Sequence, residues 1–91
     1  MAHLKTNKEQ LIARVRRIAG QVGAIERAIE QDEDCAAVLH QVAGARGAIA
    51  GLMDGLIEDH VREHVAKPGL KDAARAAAAE ELIAIVRRYS K

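Results

Sequence analysis

His60 and His64 stand four residues apart. On a helix that spacing puts two imidazoles on one face, where they can share a metal ion. Paired histidines also arise because imidazolium suits the negative end of a helix dipole, so the pair alone leaves both readings open. The zinc-protease pattern is absent, since Val61 follows His60. Glu63, directly before His64, could support or join a ligand set. The single cysteine, Cys35, lies twenty-five residues before His60, or about 37 Å along a continuous helix. Within one chain these side chains cannot meet. Two such helices packed antiparallel about a twofold axis would set Cys35 of one copy beside His60 and His64 of the other, making two equivalent sites. Read by itself, Cys35 is equally a small, semi-buried residue at a helix start. Ala2 and His3 add a further pair, because removal of the initiator Met leaves an amine next to an imidazole and together they can chelate a borderline metal. A tail histidine is as readily just solvated.

A second set of residues is basic. Lys5, Lys8, Arg14, Arg16 and Arg17 cluster against one acid, Glu9, and Arg46 lies further along. Arg14 and Arg17 share a helix face. Such a run is usually solvated, but repeated symmetrically in an oligomer it becomes a phosphate-binding surface. The net charge is only +1, so local distribution alone can argue for nucleic acid. No aromatics interleave, which disfavours a base-stacking single-strand binder, and no helix-turn-helix of ordinary dimensions is visible.

Three helices must position these groups. The first opens on Thr6-Asn7-Lys8-Glu9, a capping box, and ends near Glu30–Gln31. Its apolar residues Leu11, Val15, Ile18, Val22, Ile25 and Ile29 step by fours and threes, a heptad seam that needs another helix. The acids Asp32-Glu33-Asp34 suit the start of a second helix, running from about Glu33 to about Val65. That helix would be roughly 50 Å long, a rod that a chain of 91 residues cannot bury alone. It reads as the spine of an oligomer. Gly47, Gly51 and Gly55 share one face of it, and each costs about 1 kcal/mol relative to alanine. They are either tolerated glycines or places where another helix backbone approaches closely. Lys67-Pro68-Gly69 breaks the pattern, and Asp72 is a candidate N-cap for a third helix to about Tyr89.

The composition agrees. Hydrophobic residues are 49% and charged residues 30%, with one Pro and one aromatic, Tyr89. A core must therefore be built from small aliphatic side chains, and a chain this short often leans on a partner subunit. No apolar run approaches the ~20 residues of a membrane span, and the first residues lack the apolar core of a signal peptide. A lone cysteine fits a reducing cytoplasm. No linker divides the chain, so residues 1–91 read as a single domain.

Three segments together carry a resemblance. Arg14-Val15-Arg16-Arg17-Ile18-Ala19-Gly20-Gln21-Val22, Cys35-Ala36-Ala37-Val38-Leu39 and Ala45-Arg46-Gly47-Ala48-Ile49-Ala50-Gly51-Leu52-Met53 resemble the CsoR/RcnR family of bacterial repressors. The resemblance implies an all-α fold, with a three-helix protomer and a long central helix. It implies an antiparallel dimer assembling into a disc-like dimer of dimers, a homotetramer. It also implies operator DNA bound by the apo form and released on effector binding, with Arg14, Arg17 and Arg46 on the DNA and Gln21 a weaker candidate. In the nickel and cobalt branch, the RcnR type, the effector residues correspond to His3, Cys35, His60 and His64. One thiolate among imidazoles suits Ni(II), Co(II) or Zn(II) better than Cu(I). The alternative within the family is a FrmR-like formaldehyde sensor using Cys35 and the N-terminal amine, although Ala2 stands where such members carry proline. A small metal-dependent hydrolase is the remote alternative. It would need a general base, for which Glu63 is the only candidate.

Overall fold

The computed structural model describes residues 7–89. Three α-helices account for nearly all of them: α1 (Lys8–Glu30), α2 (Cys35–His64) and α3 (Asp72–Tyr89). Among the described residues there is no strand. The all-α expectation holds, and the helix ends fall within a residue or two of where the sequence placed them.

Asn7 occupies the N-cap of α1. Its carbonyl accepts from the Leu11 amide at 2.9 Å, while its side chain makes no capping bond. Thr6, the residue expected to cap, lies outside the described residues. The C-terminus of α1 is more tightly specified. The amide of Glu33 donates to Ala28 O at 3.0 Å and that of Asp32 to Ile29 O at 3.1 Å. These two bonds form a Schellman motif, which needs a left-handed residue between the helix and the exit. Asp32 takes that conformation, with φ 55°. The acids expected to open α2 therefore have separate tasks. Asp32 turns the chain, and Asp34 supplies the carbonyl that accepts from Val38 N at 3.1 Å. Cys35 becomes the first helical residue.

Residues 7–54 form one compact unit and residues from Gly55 onward another. In the first unit, α1 and the leading part of α2 fold back about Asp32 as an αα-hairpin. Ile18, Ala28 and Ala45 are buried, with Ala28 at 1% exposure. Most of the α1 seam is not: Val15, Val22 and Ile29 are about half exposed, as are Leu39, Val42 and Ile49 of α2. Of the seam predicted from spacing, Ile18 is buried while Val15, Val22 and Ile29 stay exposed in the chain.

In the second unit, α2 ends with Val65 N and Ala66 N both donating to Val61 O, at 3.0 and 2.7 Å. Pro68 precedes Gly69, whose φ of 86° suits the left-handed position of a type II turn. The α3 N-terminus is capped by the Lys71 carbonyl, which accepts from Arg75 N at 3.0 Å. Arg75 also donates through Nη2 to Lys67 O at 3.1 Å, tying the turn to α3. Asp72 is thus the first helical residue and not the cap. Ala78 is buried, whereas Ile83, Ile85, Val86 and Tyr89 stay exposed. No described helix is long and apolar enough to cross a membrane.

Candidate functional site

His60 and His64 lie in the last two turns of α2, both half-buried. Their ring centroids are 5.2 Å apart and tilted by 45°. Imidazole nitrogens held about 2.0–2.1 Å from one shared tetrahedral ion put their ring centroids roughly 5 Å apart, so the pair is spaced to act as two ligands. His60 Nε2 sits 3.1 Å from the carbonyl oxygen of Ala78. A carbonyl can only accept, so Nε2 carries the hydrogen and donates. In the neutral ring the lone pair is then on Nδ1. Imidazole ligands to metals commonly show this arrangement, one nitrogen fixed by a carbonyl and the other presented to the ion. Ala78 suits the role because its small side chain lets α3 offer a main-chain oxygen to a ring on α2.

The surrounding charges are local. Glu63 Oε2 lies 3.9 Å from Lys67 Nζ, and Glu58 Oε1 is 2.8 Å from Arg62 Nη2 across an exposed i,i+4 pair. Cys35 is a free, exposed thiol at the opposite end of α2 from the histidines. The structure therefore pairs His60 with His64 and does not bring Cys35 to them within the protomer. No cluster of three or more His, Cys, Asp or Glu gathers among the described residues. The two imidazoles are spaced to serve as two donors to a transition metal, and no third described donor joins them. His3 and Ala2 lie outside the described residues.

The three arginines differ in setting. Arg17 and Arg46 are exposed, while Arg14 is half-buried. The guanidinium of Arg14 reaches from α1 onto α2, and its Nη2 lies 2.9 Å from where a Cβ on Gly51 would stand. Gly47, one turn earlier, faces open space within the protomer. Of the glycine face read from the sequence, Gly51 has an arginine side chain beside it within the chain. Two positioning features could not be read from the sequence. The Ala78 carbonyl is a main-chain atom with no signature in residue type. The Gly51 notch had a signal, a glycine inside a long helix, but its occupant could not be named.

The chain has relatives among known sequences and structures. Residues 7–88 match the family described as metal-sensitive transcriptional repressor. An uncharacterised protein of the bioA 5′ region of Serratia marcescens is 45% identical over 91 residues, covering all of both chains. A homologue of the transcriptional repressor RcnR from Escherichia coli is 42% identical over 69 residues, 76% of this chain and 77% of that one. A solved structure, a glutamate-to-histidine variant of the formaldehyde-responsive regulator FrmR from Salmonella enterica serovar Typhimurium, is similar with a TM-score of 0.87. It is 40% identical, and the match covers 92% of this chain and 94% of that one. The chain belongs to the CsoR/RcnR family of metal-sensitive transcriptional repressors, which are regulators and not enzymes.

Proposed function

We propose that this chain represses transcription in the cytoplasm by binding operator DNA as a homotetramer, a dimer of dimers, and that a transition metal, Ni(II) or Co(II) foremost with Zn(II) next, releases it. The observation that carries the reading is the His60 bond to Ala78 O beside His64. It leaves His60 Nδ1 as the ligating nitrogen, with its ring already held. His60 and His64 of one subunit would hold the metal together with Cys35 of another and the Ala2/His3 tail. One thiolate among imidazoles is a borderline donor set, matched to these ions. The exposed seam of α1 and α2 supports assembly, since half-exposed Val22, Ile29 and Leu39 are disfavoured in water. Arg14, Arg17 and Arg46 would meet the phosphates. Drawing the tail and the start of α1 toward the ligands would shift Arg14 and Arg17 away from DNA. The effector then acts by its different affinities for two states. The single-domain reading of residues 1–91 belongs to this proposal.

The test is a titration of the protein on a duplex enriched by the apo protein from a random-sequence pool. Ni(II) or Co(II) at stoichiometric levels should release it, and no loss of affinity with either ion would sink the metal-release reading. A second reading has its own support in the FrmR neighbour. A formaldehyde sensor would join the N-terminal amine to Cys35 Sγ through a methylene group. Each partner would lose one hydrogen and the aldehyde oxygen would leave as water. Mass spectrometry of the treated protein, before and after Cys35→Ala, distinguishes the two readings. The hydrolase alternative is set aside, because the family consists of regulators.

A further inference from the structure

Gly51 lies well inside α2, where alanine is the favoured residue. A Cβ there would stand 2.9 Å from Arg14 Nη2 and 3.9 Å from Arg14 Cζ, with no core side chain and no backbone of α1 within reach. Gly20, Gly44 and Gly47 face nothing within 4 Å, and at Gly23 the Cβ would meet only Arg27 Nη1, at 3.3 Å. Of Gly20, Gly23, Gly44, Gly47 and Gly51, it is at Gly51 that an added methyl would press hardest on a neighbour, and what it would press on is a single guanidinium. Arg14 makes no hydrogen bond or ion pair with another described residue. Its donors are therefore not consumed where it rests.

We infer that Gly51 is a positioning residue for DNA binding: its missing side chain is a notch that receives the Nη2 end of the Arg14 guanidinium. This rests on the reading that Arg14 contacts phosphate. An arginine tethered only to α1 would sample many rotamers and lose them on meeting DNA. With Nη2 set in the space at Gly51, it is already restricted, and it is bonded to no other described residue. The notch also carries an α1 cation onto α2. The fold itself does not need the glycine, because the displaced group is the far end of a flexible side chain.

The experiment uses the full-length protein and the enriched duplex, with Gly51→Ala, Arg14→Ala and the double variant. Gly44→Ala serves as a helix-propensity control. Thermal melting should show G51A at least as stable as the parent. Its DNA affinity should fall about tenfold, the size of one charge-assisted hydrogen bond, while G44A binds as the parent does. In the R14A background G51A should add no further weakening, since both act on one interaction. The inference is overturned if R14A weakens binding and G51A does not. It is equally overturned if G51A weakens binding by the same factor with or without Arg14, or if G51A melts lower. If R14A itself binds like the parent, the DNA role of Arg14 fails, and Gly51 has nothing to position.

Discussion

The surroundings of His60 and of Arg14 hold a side chain in place by different means. His60 is held by a directed bond, Nε2–H to the Ala78 carbonyl at 3.1 Å. That bond sets the ring orientation and also which nitrogen keeps its lone pair. Arg14 is held by shape, in the space left by a missing Cβ at Gly51, with no bond to another described residue. A ligand to a metal needs one nitrogen at one angle, and a directed bond supplies that. A phosphate contact tolerates a range of angles around a planar cation, so confinement without bonding suffices and leaves the donors free. In neither unit is the apolar surface fully covered: Leu39 in one and Tyr89 in the other are 63% and 65% exposed.

The contrast can be broken most severely at the bonded side. His60→Ala should lower metal affinity by more than the 10–100-fold typical of losing an outer-shell partner, leaving apo DNA binding intact. Calorimetry and the duplex titration would show this, and a metal response unchanged in that variant would remove His60 from the ligand set. On parent protein, nitrogen-detected NMR should find the apo His60 ring protonated at Nε2. Next in size is the exposed seam. Leu39→Asp places a charge on a surface that assembly would bury, so light scattering should record a smaller species with DNA binding abolished. A tetramer surviving that change would place the subunit interface elsewhere.

Arg46→Ala should weaken DNA binding about uniformly across sequences. The slope of log affinity against log salt should fall by about 0.9 for each phosphate no longer neutralised. An unchanged slope would take Arg46 off the DNA. The smallest effect belongs to the turn between α1 and α2. Asp32 sits at φ 55°, a conformation that favours glycine, so Asp32→Gly should raise stability by up to about 1 kcal/mol. Denaturant unfolding would measure it, and a fall in stability would mean the aspartate side chain contributes more than its backbone conformation costs.

Much of the architecture is legible in the order of residues. Spacing of apolar residues marks all three helices, and Lys67-Pro68-Gly69 marks the break before α3. The departures are local. Asp34 and Lys71 cap through their carbonyls, and a carbonyl cap carries no side-chain signature. Asp32 looks like a helix starter because its side chain suits that place, but the Schellman bonds to Ala28 and Ile29 use its backbone instead.

By itself the sequence determined which residue types are present, their periods, and hence that His60 pairs with His64 while Cys35 cannot join them within one chain. These are consequences of helix geometry, which depends only on local rules. The family resemblance was equally a matter of residues in order. Only the tertiary structure decided what each group rests against: that Ala78 offers its carbonyl to His60, and that Gly51 receives Arg14 while Gly47 faces open space. Those contacts join residues eighteen and thirty-seven positions apart. They depend on how one helix is rotated and slid against the next, which no local period specifies.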